Sequence, residues 1–153
     1  MKSYYYCDSP IGKLTLVSED EYLIGLYFGE VEVDGINESS IVISDALVQL
    51  EEYFKRSRRE FTIPLKFYGT KFQKKCWEEL LKIPYGETKS YKEIANLLGS
   101  PKGYRAVGMA NNKNPISIIA PCHRVIGSNG KLVGFGGGID KKEFLIYLEK
   151  SNK

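Results

Sequence analysis

The stretch Ile118–Gly127, IIAPCHRVIG, sets a cysteine, a histidine and an arginine in succession between two apolar runs. Apolar runs bounded by proline and glycine predict a short buried strand. Cys122, His123 and Arg124 interrupt it where Val or Ile would otherwise continue, and His123 is the only histidine in the chain. A free thiol has a pKa of about 8.5, so a nucleophilic cysteine needs a base or a cation beside it. His123 is the adjacent candidate. Neighbouring residues of an extended strand point to opposite faces, however, so the two meet only through a turn or a bridging water. Read alone, the dipeptide also fits a buried thiol next to a hydrogen-bonded histidine.

Upstream, Gly69-Thr70 marks a boundary, with Thr70 as N-cap of a helix whose inner side carries Phe72, Cys76, Trp77, Leu80 and Leu81. Cys76 in that company is a small buried hydrophobe. Ile83-Pro84-Tyr85-Gly86 stops the helix. In SYKEIANLLG, Ser90 and Glu93 make a capping box, and Ile94, Ala95, Leu97 and Leu98 supply the apolar face. The turn SPKG leads to a second short helix, YRAVGMANN, which Asn114-Pro115 ends. Two short helices joined by a tight turn predict a helix-turn-helix. The second helix lacks the long polar side chains that read base edges: it offers Ala106, Gly108 and Ala110, with Arg105 as its only charge. Gly108 costs about 1 kcal/mol relative to Ala in a helix, so the space is wanted. Either it packs against a neighbouring helix, with Val107 and Met109 inward, or a narrow face enters a DNA minor groove, about 6 Å wide.

The first 69 residues carry structure rather than chemistry. SYYYCDSPIGKLTLVSEDEYLIGLYFG alternates apolar and polar residues around a Ser-Pro-Ile-Gly turn and an acidic turn, which predicts an antiparallel meander of three strands. After the polar EVEVDGINESS, a helix is expected from about Ser44 to Arg56, with Ala46, Leu47, Leu50, Tyr53 and Phe54 on one face. EFTIPLKF reads as a short strand. The expected fold is thus α+β. Residues 1–69 form a supporting domain with an antiparallel sheet and a helix. Residues 70–153 form a mostly helical domain with a winged helix-turn-helix and the strand carrying Cys122.

Composition narrows the function. The chain has 153 residues, 42% hydrophobic and 27% charged, as folded globular proteins do. It has no long apolar run and no secretion signal in MKSYYYCDSPIG, so a cytoplasmic protein with no membrane association is expected. Cys7, Cys76 and Cys122 are odd in number and far apart, and with one histidine they make neither a disulfide framework nor a zinc site; no metal is expected. Residues 1–69 hold 7 Lys and Arg against 12 Asp and Glu, net −5, whereas residues 70–153 hold 15 against 7, net +8. The basic half either meets a polyanion or has an ordinary solvated surface.

The ordered set IPYGET, SYKEIA, RAVGMA, NP, PCHRVIG and FLIYLEK resembles the O6-alkylguanine-DNA alkyltransferases, also called methylated-DNA-protein-cysteine methyltransferases. The likeness runs from Phe72 to Lys150 and is weaker before, where SPIGKLTL carries it. The resemblance implies a single-use protein, monomeric and without a cofactor, that takes an alkyl group from O6 of guanine in double-stranded DNA, bound through the minor groove. It implies Cys122 as the acceptor, His123 as a water-mediated base, Glu149 as the carboxylate that orients and charges His123, and Tyr91 as proton donor to the guanine. Arg105 would fill the stack left by the flipped base, on a helix contacting DNA through Ala106, Gly108 and Ala110. Val125, Phe135 and Gly136 would line the guanine pocket, and Asn114 would tie the helix-turn-helix to the reactive segment. Many relatives have Tyr-Ser, or a similar polar pair, where this chain has Phe135-Gly136, so a hydroxyl near O6 is missing. Glu149 also breaks a local rule, since an anion in the last turn of a helix opposes the macrodipole. The alternative is an alkyltransferase-like protein that binds lesions without reacting. Such relatives lack the acceptor cysteine, and this chain keeps it.

Overall fold

The computed structural model of the protein describes residues 1–132 and 137–153. They form two compact units, Met1–Phe67 with Pro115–Ser117, and Tyr68–Asn114 with Ile118–Lys153.

In the first unit, β1 (Lys2–Cys7), β2 (Leu14–Glu19) and β3 (Tyr22–Phe28) make the expected antiparallel meander, in the order β3-β2-β1-β4. Asp20 closes the second turn at φ 57°, a left-handed conformation that Asp tolerates. The polar segment after β3 adds an unforeseen edge strand, β4 (Ile36–Asn37), parallel to β1, so the sheet is mixed rather than antiparallel throughout. β2 is interior and buried on both faces from Leu14 to Ser18. Its polar residues are satisfied: Thr15 donates to Gly29 O at 2.8 Å and accepts from Val31 N at 2.9 Å, and Ser18 pairs with Ser40.

α1 spans Ile41–Phe54, three residues earlier than expected at its start. The β-branched Ile41-Val42-Ile43 argues against helix locally. Ser40 caps the N-terminus, and burial of Val42 and Ile43 outweighs propensity. EFTIPLKF does not form the expected strand. Only Leu65 bridges Leu23, through Leu23 N to Pro64 O at 2.9 Å and Lys66 N to Leu23 O at 3.1 Å. Pro64 has no N–H to extend a ladder. Pro115–Ser117 bonds Leu26 in the same way and so joins this unit.

The second unit is mostly helical: α2 (Lys71–Leu80), α3 (Tyr91–Leu97), α4 (Tyr104–Asn112) and α5 (Ile139–Ser151), with a two-residue parallel pair β5 (Lys89–Ser90) and β6 (Val125–Ile126). Ser90 and Glu93 form the expected capping box. Thr70 caps α2 as expected and, with Gln73, makes a second box. α3 packs on α4 and α4 on α2, where Trp77 Nε1 donates to Ala110 O at 2.8 Å. Three residues expected inside are outside. Leu81 is the exposed C-cap of α2, Leu97 ends α3 at 57% exposure, and Met109 is 63% exposed. α4 buries Val107, Ala110 and Asn111, a stripe at helical spacing that turns Met109 outward. Among the described residues no helix is long and apolar enough to cross a membrane.

Candidate active site

The reactive segment is not an extended strand. Ile118 sits at φ 71°, where a β-branched side chain is strained, and it is held there by burial. Asn114 Nδ2 donates to Ala120 O at 2.7 Å, anchoring the next turn to the end of α4. Cys122 N then closes on Ala120 O at 2.8 Å around Pro121, and Cys122–Arg124 forms one 3₁₀ turn leading into β6. A second amide, Asn111, holds Cys122 O at 3.2 Å. With three residues per turn, the side chains of Cys122, His123 and Arg124 fan out in three directions instead of alternating between two faces.

Each meets a different environment. Cys122 is 3% exposed. His123 is fully buried, with Nε2 at 2.7 Å from Glu149 Oε2 across 26 positions of sequence. Arg124 forks onto the same carboxylate, Nε to Oε1 at 2.8 Å and Nη2 to Oε2 at 2.9 Å, while Nη1 donates to Ile83 O at 2.6 Å. Gly86 N adds a fourth donor to Glu149 Oε1 at 3.3 Å. These partners explain how an anion survives in the last turn of α5. Burial alone would raise the Glu149 carboxyl, but the hydrogen bonds and charges of His123 and Arg124 more than reverse it and hold it well below the usual carboxylate range. An ionised carboxylate only accepts, so Nε2 of His123 carries the proton and Nδ1 keeps a lone pair. Nδ1 is buried with no hydrogen bond among the described residues. Burial lowers the pKa of His123; the Glu149 bond opposes this, and the charges of Arg124 and Lys142 reinforce it, so the expectation that Glu149 charges the ring is corrected: the carboxylate holds the ring while burial keeps it neutral.

On the other side stand Tyr91, the first residue of α3, and Lys142, fully buried on α5. Lys142 Nζ donates to Tyr91 Oη at 3.4 Å and lies 5.7 Å from the centre of its ring. Burial pushes Lys142 down to about 8, against the pull of a Cys122 anion. Tyr91 is raised by burial and then by the Cys122 charge. Cys122 thus adjoins a histidine whose Nδ1 has no hydrogen bond among the described residues, and its charge acts on both members of the Tyr91–Lys142 pair.

The structure brings Cys122, His123, Glu149 and Tyr91 into one cluster and places Asn114 beneath it. Arg105 and Ala106 are exposed on α4. Gly108 is half-buried, and a Cβ there would rest 3.8 Å from the Tyr91 ring, an ordinary contact, so internal packing does not require glycine. Ala110 is a correction: it is buried beneath α2, its carbonyl taken by Trp77, and shares no face with Arg105. Val125 is also fully buried, in β6 opposite Lys89, and forms packing rather than an open wall. Phe135 and Gly136 lie outside the described residues. Arg124, Lys142 and Asn111 were missed. Arg124 had a signal, a charge inside an apolar run. Lys142, one of an adjacent lysine pair, had none.

Two family models match the chain: "6-O-methylguanine DNA methyltransferase, DNA binding domain" over residues 71–151 and "6-O-methylguanine DNA methyltransferase, ribonuclease-like domain" over residues 2–67. The chain is 48% identical to the methylated-DNA–protein-cysteine methyltransferase of Methanosarcina barkeri, covering 97% of this chain and 98% of that protein. It is also 48% identical to that of Mycobacterium bovis, covering 99% and 94%. Among solved structures it is similar to the O6-methylguanine methyltransferase of Mycobacterium tuberculosis, with TM-score 0.91, 46% identity and coverage of 100% and 95%. The same organism's OGT in complex with DNA matches with TM-score 0.92, 48% identity and coverage of 98% and 94%.

Proposed function

The chain belongs to the 6-O-methylguanine DNA methyltransferase family, and on that premise we propose that it repairs DNA by moving an alkyl group from O6 of guanine onto Cys122, once and irreversibly. The observation that carries this reading is the buried Cys122 next to the His123–Glu149 couple, with its charge acting on the Tyr91–Lys142 pair. The thiol proton passes to Nδ1 of His123 through water. The thiolate attacks the alkyl carbon, an S–C bond forms, the C–O6 bond breaks and its electron pair stays on the guanine. Tyr91 Oη–H supplies the proton that neutralises the departing ring, and the Lys142 ammonium offsets the charge left on the phenol. No cofactor enters this balance.

The substrate is double-stranded DNA, in which the target atom is inaccessible until the base is extruded. The net charge of +8 on residues 70–153 and the DNA complex of the mycobacterial relative support this partner. Arg105, whose exposure on α4 supports the role, replaces the stacking of the flipped base. Ala106 and Gly108 keep the outer side of α4 narrow enough for the minor groove, and the room left at Gly108 by the protein's own packing supports that use. Asn114 acts as a structural hinge between α4 and the reactive turn. The division of labour is a supporting unit at residues 1–69 and a reactive, DNA-binding unit at 70–153, working as a cytoplasmic monomer. A lesion-binding protein without transfer is not favoured, because the acceptor cysteine is present with its base.

Intact mass after incubation with duplex DNA bearing O6-methylguanine tests the reading. The expected result is a gain of one methyl group per chain, located at Cys122, and none in Cys122→Ser, which still binds the lesion. Methylation of Cys122→Ser, or none of the wild type, overturns it.

A further inference from the structure

We infer that Arg124 is a positioning residue for the general base: its guanidinium, held on both oxygens of Glu149 and on Ile83 O, fixes the carboxylate against Nε2 of His123 and so leaves Nδ1 as the nitrogen that takes the proton. The inference deepens the alkyl-transfer reading, but its first test does not depend on it.

A carboxylate offers about four lone-pair sites. Glu149 fills four, with His123 Nε2 and Arg124 Nη2 on Oε2 and Arg124 Nε and Gly86 N on Oε1. No site is left for water and no rotation of the group keeps all four donors. Arg124 supplies two of the four and is itself anchored, since its third nitrogen reaches Ile83 O and its guanidinium lies 5.8 Å from the centre of the Tyr85 ring. Bidentate, charge-assisted contacts of this kind fix geometry as well as charge.

The charge matters equally. A bare carboxylate at 2.7 Å would draw a proton onto the imidazole and spoil it as a base. Paired with Arg124, the carboxylate presents nearly zero net charge, so His123 is oriented without being charged. The other groups bearing on His123 act in the same direction or are silent. Lys142 of α5 is a further cation disfavouring imidazolium, and Cys122 is its neighbour in the turn and proton source. α2 also packs on the turn, and its one buried titratable residue, Cys76, has its thiol pushed up to about 11 by burial and stays neutral.

Because the chain has one histidine, imidazole NMR reports His123 without assignment ambiguity. In the wild type, the ring is expected as the Nε2–H tautomer with a midpoint below the ordinary value of about 6.5. In Arg124→Gln, the midpoint moves up by about one pH unit or more, since the carboxylate then acts on the ring unshielded. The acid limb of the single-turnover transfer rate moves up with it, so the variant is slow at pH 6 and recovers at higher pH. Arg124→Lys keeps the charge without the fork: its midpoint stays with the wild type while transfer slows about tenfold, from lost positioning. A folded Arg124→Gln with an unchanged midpoint and tautomer, and only a lower melting temperature, would reduce Arg124 to a structural role. An Arg124→Lys protein reacting at the wild-type rate overturns the inference as well, and decides it if the Gln variant does not fold. The titration stands even if the wild type transfers no alkyl group, so the two readings fail separately.

Discussion

The two units treat buried polarity in opposite ways. The first buries hydroxyls: Thr15 and Ser18 lie inside the sheet and bond to nearby backbone or to another serine. The second buries ions and amides, namely Asn111, Asn114, His123, Arg124, Lys142 and Glu149. A hydroxyl costs little to bury once bonded, whereas a buried charge is costly unless fully paired. Under the proposed alkyl transfer, the second unit bears that cost because an acceptor thiol needs a base, a held carboxylate and a cation away from water. The contrast teaches where stability has been traded for chemistry.

Breaking the ionic cluster should have the largest effect. Glu149→Ala leaves Arg124 and His123 buried without their shared anion and is expected to cost about 3–5 kcal/mol, measured by chemical denaturation. The depressed carboxyl sets the pH dependence. Its contribution is fully present above the unfolded value of about 4.3 and is lost as pH falls through the lower folded value. The gap between wild type and variant is therefore constant down to about pH 4 and narrows steadily as the pH falls further.

Lys142→Met sharpens the contrast from the other side, since it removes a charge that the fold tolerates rather than uses. The folded-state pKa of about 8 lies below the ordinary 10.5, so the lysine destabilises the native state at neutral pH. That penalty is relieved as pH rises from the folded value to the unfolded one. The variant is expected to be more stable at pH 7 by about 1–3 kcal/mol, with the difference fading by pH 10, and to transfer alkyl groups more slowly. A variant less stable at pH 7 would show that the ammonium is paired well enough to stabilise the fold.

The smallest effect belongs to the first unit. Thr15→Val strands Val31 N and Gly29 O, but water reaches the exposed Gly29, so a loss of about 1 kcal/mol is expected. The loss should not vary between pH 4 and 9 in matched melts, and transfer should be unchanged. A pH-dependent loss would erase the distinction between the units.

Local chemistry made several elements readable in advance. Ser90-x-x-Glu93 and Thr70 announced helix starts, and alternation around SPIG and an acidic turn announced the meander, because caps and turns are decided by neighbours a few residues away. The early start of α1 and the missing strand at EFTIPLKF were not readable, since burial in one case and a single missing N–H in the other overrode local preference. Periodicity identified helices but misplaced Leu97 and Met109, because which stripe is buried depends on what lies beside it.

By itself, the sequence determined that one histidine follows one cysteine behind a proline, that the second half is basic, and that its ordered motifs belong to an alkyltransferase lineage. Only the tertiary structure decided that Cys122–Arg124 is a 3₁₀ turn rather than a strand, and that Glu149 is shared by His123 and Arg124. It alone put Lys142 beside Tyr91 and withdrew Ala110 from the outer face of α4. The physical reason is distance in the chain. Capping and turn preferences act within a few residues, whereas the protonation of His123 and the burial of Lys142 depend on groups tens of residues away that folding alone brings within hydrogen-bond reach.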